Sequence, residues 1–114
     1  LTTSELAGTA WTAFALEGIP EVVQPKPTLR WDQSMHLSGS GGCNAFSGAF
    51  ALGKDSVRIG PLVPIGKACL TLPGAQEDKF FNALEGTRAA HLEGDQLVLL
   101  DEAGHQLARL LKNP

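Results

Sequence analysis

The sequence predicts an α+β domain, an antiparallel β-sheet with one α-helix packed against it. Three observations predict it. Short apolar runs recur along the chain with turn residues between them, as in antiparallel β proteins. One segment, residues 75–85, carries its apolar residues at helical rather than strand spacing. Thirteen glycines and seven prolines are scattered as punctuation, without a repeat period.

The elements follow in order. Residues 10–15 form the first predicted strand, carrying Trp11 and Phe14. Glu17-Gly18-Ile19-Pro20 and Pro25-Lys26-Pro27 break regular structure and make a loop. Residues 28–31 and 35–38 read as strands around a turn at residues 32–34. Residues 45–52 alternate, with Phe46, Gly48 and Phe50 on one face and Ala45, Ser47, Ala49 and Ala51 on the other. After the turn Gly53-Lys54-Asp55, Val57 and Ile59 alternate with an outward Arg58. Residues 61–65 suit a short edge strand, where proline is tolerated.

The helix is expected at residues 75–85, with Phe80, Phe81 and Leu84 at helical spacing and Gly86 as its stop. Glu77 and Asp78 then fall in its first turn, where they favour the positive end of the helix dipole. Residues 89–93 and 96–101 make a hairpin around Gly94-Asp95, and residues 105–111 follow a second turn at Glu102-Ala103-Gly104. The run Leu97-Val98-Leu99-Leu100 lacks alternation, which predicts a strand buried on both faces, with sheet on one side and helix on the other. Trp11, Phe14, Phe46, Phe80 and Leu84 are expected to share one core.

At 114 residues and 12.0 kDa the chain fits a single domain over residues 1–114. Size scaling has it bury about two-thirds of its extended-chain surface, enough for a core of its own. Nine basic and twelve acidic side chains give a net charge of -3, and no window concentrates Lys or Arg. Nucleic acid is excluded as a partner, because phosphate neutralisation needs a basic face. The longest stretch free of charged residues, Gln33 to Gly53, holds five glycines and four serines, so it is no transmembrane helix. The sequence opens at Leu1 without a basic and apolar leader, which suits a removed signal peptide or an arbitrary domain boundary.

The motifs that would carry chemistry are incomplete. Gly48 to Lys54 matches the phosphate-loop pattern GxxxxGK, but Asp55 stands where a hydroxyl must hold magnesium, and a strand follows instead of a helix. Gly39, Gly41 and Gly42 begin like a dinucleotide fingerprint, yet Asn44 occupies the third glycine's place. His36, His91 and His105 lie on separate segments with no metal-ligand spacing. No nucleophile elbow surrounds any serine. Glu77-Asp78 and Asp101-Glu102 read as a helix start and a turn rather than acid–base pairs. These residues point to no catalytic group, no cofactor and no metal. Gly41, Gly42 and Gly48 are expected to serve backbone geometry, and Asn44 to bond to nearby backbone.

Cys43 and Cys69, 26 positions apart, are the only thiols. The residues alone leave two readings open. One is a disulfide in an exported small domain, stabilising it by about 3–4 kcal/mol on the chain-entropy model. The other is two buried free thiols in a cytosolic protein.

Gly42-Cys43-Asn44-Ala45-Phe46-Ser47-Gly48-Ala49-Phe50 resembles the GCN-x-F-x-G-x-Y segment of the META/HslJ domain family. Leu6-Ala7-Gly8-Thr9-Ala10-Trp11 is similar to that family's opening L-x-G-T-x-W. Ala68-Cys69 matches the end of its L-A-x-T-x-x-A-C segment, and Glu77 to Leu84 its E-x-x-F-x-x-A-L helix. Leu97-Val98-Leu99 through Gly104 to Leu107 resembles its closing strand, turn and strand, so the likeness spans residues 6–111. Ile65 replaces the usual Thr, and Phe50 the common Tyr.

The resemblance implies a strongly curved, barrel-like antiparallel sheet with one helix packed against it. It implies a stress-linked bacterial envelope domain, periplasmic or outer-membrane-associated, with a lipid anchor allowed outside this chain. It favours the Cys43–Cys69 disulfide, since it implies export. It marks Gly42, Asn44, Phe46 and Gly48 as the structural motif and attaches no catalytic activity. The expected function is therefore a noncatalytic, monomeric module binding an envelope protein or a small apolar ligand in an open mouth of the sheet. The competing readings are a thiol-dependent enzyme or redox protein using Cys43 and Cys69, and a structural domain of a longer envelope lipoprotein.

Overall fold

A computed structural model describes residues 3–54, 56–65 and 72–113. The chain runs α1 (Thr3–Leu6), β1 (Ala10–Leu16), β2 (Thr28–Trp31), β3 (His36–Ser40), β4 (Ala45–Leu52), β5 (Val57–Ile59) and β6 (Val63–Ile65). It continues through α2 (Leu72–Gly86), β7 (Ala89–Glu93), β8 (Gln96–Leu100) and β9 (Gln106–Lys112).

All pairings are antiparallel, in the order β5-β4-β3-β2-β1-β9-β8-β7, with β6 beside the start of β4. This sheet curls into a nearly closed barrel. The Val57 N–H donates to the Arg88 carbonyl at 2.9 Å and links the two ends of the strand order.

Alternation along the strands fills the interior. Trp11, Leu29, Trp31, Leu37, Phe46, Phe50, Val57 and Ile59 point inward, while Ala45, Ser47, Ala49 and Ala51 point out as their period requires. Trp31 meets Phe50 edge to face, with ring centroids 4.8 Å apart. Helix α2 packs Phe80, Ala83 and Leu84 into the same core, and Phe46 contacts both Phe80 and Phe81 at 6.0 and 5.2 Å. The expected helix-on-barrel architecture is present.

Phe14 corrects the expected core, for it is 38% exposed. Trp11 and Phe14 are three apart, an odd spacing that cannot share a face of a regular strand. Ala13 follows Trp11 inward, and a bulge between Ala13 and Ala15 then shifts the β1–β9 register. Phe14 is left outside, and Leu16 takes the inward place instead.

The leucine run is buried on both faces, as expected, but its covering differs. Leu97 and Leu99 join the core, whereas Val98 lies on the outer face, opposite His91 and Arg109. Arg109 is fixed there by Glu93, Gln96 and Gln106, so long polar side chains rather than a helix flank Val98.

Candidate functional site

The turn joining β3 to β4 carries the GCN segment and brings several polar groups together. Its Gly41 N–H donates to the Asn44 carbonyl at 2.9 Å, closing a four-residue hairpin turn. Gly42 has φ near +113°, a region that side-chain-bearing residues rarely adopt. The Ser40 hydroxyl oxygen accepts the Gly42 N–H at 3.1 Å. The Cys43 and Asn44 N–H groups then converge on one point, the geometry of an anion cradle.

Glu77 of α2 fills that cradle. Its Oε2 accepts both the Cys43 and the Asn44 N–H, the former at 2.9 Å, and its Oε1 accepts the Asn44 side-chain amide at 2.9 Å. Glu77 is 4% exposed and forms no ion pair with any described residue. Three donors thus solvate a buried carboxylate in place of a cation. A Cβ on Gly41 would lie 2.3 Å from Glu77 Cγ, so glycine is needed there for space as well.

The expected first-turn role of Glu77 is therefore corrected. The helix begins at Leu72, three residues earlier than its spacing predicts, which places Glu77 in the second turn and turns it inward. Its neighbour Gln76, 1% exposed, works similarly. Its amide accepts the Val23 N–H at 2.8 Å and donates to the Val23 carbonyl at 2.9 Å, acting as a strand partner for the loop between β1 and β2.

The remaining candidates stay apart. Gly48 to Leu52 is strand, and β5 begins after the next turn, so the GxxxxGK stretch has no helix to receive phosphate. At Gly48 a Cβ would come within 2.9 Å of Leu62, so this glycine allows close approach of the chain. His36, His91 and His105 each stand beside a local partner: the Ser34 hydroxyl at 3.2 Å, Glu93 at 2.6 Å and Asp101 at 3.4 Å. Among the described residues no three His, Cys, Asp or Glu side chains come together for a metal. Cys69 lies outside the described residues, and no described cysteine is free.

Three exposed carboxyls are depressed below their ordinary values by local donors. The Ser34 backbone N–H does this for Asp32, with help from the Ser34 hydroxyl. His91, then Arg109, does so for Glu93, and the His105 backbone N–H, then that of Ala103, for Asp101. Asp32 and Asp101 brace turns and Glu93 bonds to side chains across the sheet surface, so all three serve structure. Phe46, Phe80 and Leu84 fill the interior between sheet and helix as part of one core. Surface grooves along the described residues include one of about 430 Å³ lined by Gly8, Arg30, Asp32, Gln33 and Ser34.

Fold and site together define a small helix-plugged β-barrel domain, its GCN turn clamped by a helical carboxylate. The META domain model matches residues 4–114, and the chain belongs to that family. Solved structures share the fold. A protein from Burkholderia xenovorans, solved by NMR, is 25% identical with a TM-score of 0.71, over 97% of this chain and 86% of that one. A second NMR structure is 22% identical with a TM-score of 0.73, over 97% and 95%. A DUF4847 family protein from Bacteroides vulgatus, a crystal structure, is 19% identical with a TM-score of 0.57, over 75% and 57%. No curated protein matches the chain.

Proposed function

We propose that this META domain is a noncatalytic module of the bacterial envelope that works by contact with another protein, in a stress-linked setting. The observation that carries this reading is Glu77. The most buried carboxylate among the described residues is consumed by three hydrogen bonds to a turn, leaving it no role as acid, base or ligand. The filled interior favours a partner on the outside over an apolar ligand within. On β6, Val63 and Ile65 are 57% and 62% exposed beside the uncharged Ser47 and Ala45, a surface suited to such contact.

Envelope placement rests on what the resemblance to the META/HslJ family implies, and the Cys43–Cys69 disulfide belongs to the same reading. The test has two arms. Intact mass after alkylation, with and without reductant, should show two blocked thiols that open only on reduction. Hydrolase, transferase and nucleotide-dependent screens should return nothing. Two freely alkylated cysteines in the folded protein would remove the support for export. Turnover abolished by Cys43→Ser or by a single histidine substitution, with folding intact, would replace the noncatalytic reading with a thiol or histidine enzyme.

A further inference from the structure

Seven antiparallel steps separate β5 from β7 in the strand order, so these two strands run in opposite directions. The Val57–Arg88 hydrogen bond, however, joins the start of β5 to the residue just before β7. From that point the strands diverge, and neither can pair with the other along its length.

Their edges are treated differently. The edge of β5 runs toward the end of α2, where Glu85 Oε2 accepts the Leu62 N–H at 3.4 Å. The edge of β7 faces Gly53, Lys54 and Ser56, leaving a groove of about 240 Å³ between them and Ala89, Ala90 and His91. Among the described residues nothing pairs with β7 on this side. Each edge strand leaves a row of N–H and C=O groups unbonded unless it is blunted. The chain blunts β6 with Pro64 at its centre. In β7, by contrast, there is no proline, no bulge and no lysine, and the strand begins with two alanines.

We propose that the open edge of β7 receives an extended peptide segment of a partner protein, which adds a strand to the barrel at its seam. The occupant is specified by two features. Unbonded strand groups accept only another extended backbone, and the small Ala89 and Ala90 let it approach. Lys54, which makes no ion pair with a described residue, lines the opposite wall and selects a segment carrying a carboxylate. Glu93 is already bonded to His91 and Arg109 and so leaves this cation unopposed from β7.

The inference goes beyond the β6 surface and is tested separately from it. The probe is an acetylated eight-residue peptide alternating valine and glutamate, titrated into the isotope-labelled chain by NMR. Shifts should concentrate at the amides of residues 53–57 and 89–93. N-methylation of alternate peptide nitrogens should weaken binding by tenfold or more, because strand pairing is lost. Lys54→Glu should weaken it about two- to fivefold, the range of an exposed ion pair, and Ile65→Lys should leave it unchanged. Absence of shifts to millimolar peptide, or indifference to N-methylation, overturns the proposal. Equal binding of a valine–lysine peptide overturns the carboxylate preference. A doubled sedimentation mass, with the same amides moving as protein concentration rises, assigns the edge to a second copy of this chain instead. Binding abolished by Ile65→Lys moves the contact to β6 and overturns it too.

Discussion

Glu77→Gln tests the clamp with minimal change of shape. The carboxylate now accepts three hydrogen bonds, two from backbone N–H groups of Cys43 and Asn44 and one from the Asn44 amide. A glutamine can keep its single oxygen on the two backbone donors. Its NH2 group then faces the Asn44 NH2 group, donor against donor. Charge-assisted bonds contribute about 1.5–3 kcal/mol each and neutral ones about 0.5–1.5. Losing the charge on two bonds therefore costs about 2 kcal/mol, and the mismatched third adds about 1–3 more from its unsatisfied group. The sum, about 3–5 kcal/mol, is a large share of the 5–15 kcal/mol typical of a domain. Urea unfolding followed by tryptophan fluorescence measures it directly. Asn44→Asp should recover part of the loss in the Glu77→Gln background, because the carboxylate it introduces would accept from the glutamine NH2 group. A loss below 1 kcal/mol for Glu77→Gln, or a double variant weaker than either single one, would refute the reasoning.

Phe80→Ala should cost about 3–5 kcal/mol, since the ring is wholly buried against Phe46, whereas Phe14→Ala on the bulge should cost less than 1 kcal/mol; equal losses in urea unfolding would return Phe14 to the core. Stability should also fall in acid. Asp32, Glu93 and Asp101 are depressed in the folded chain, so the unfolded chain takes up protons first as pH drops. Their contribution is complete above the unfolded values near 4 and fades as pH falls through the lower folded ones. The urea midpoint should hold between pH 7 and 5 and decline below about pH 4; a midpoint that rises from pH 4 to 3 contradicts this.

Much of the fold is legible in the sequence because period and punctuation agree. Phe46 and Phe50 sit four apart in a strand with only small residues between, and the structure puts both inside. Gly94 and Gly104, both at positive φ, mark hairpin turns where the sequence predicts them. Phe14 misleads by its size, for its odd spacing from Trp11 already assigns it to the outer face, and the bulge beside it only brings Leu16 inward in place of Ala15. The clamp escapes notice for a different reason. Gln76, Glu77, Phe80, Ala83 and Leu84 are all buried and lie on one helical stripe, three and four residues apart. The stripe is visible from Phe80 onward, but the polar residues at its start invite a reading by charge, as dipole partners, rather than by position. A glutamate one turn before a buried phenylalanine, on its own face, points into the protein and must find donors there.

The adjacent pair Gln76 and Glu77 has a consequence for motion. One side chain holds Val23, in the loop after β1, and the other holds Cys43 and Asn44, in the turn after β3. Two segments distant in sequence are thereby moored to successive residues of one helix. Neither can open far while α2 stays seated, and once the start of α2 lifts, both are released together. The backbone amides of Val23, Cys43 and Asn44 should therefore exchange with solvent as one cooperative unit, at a rate set by the helix rather than by their own surface position.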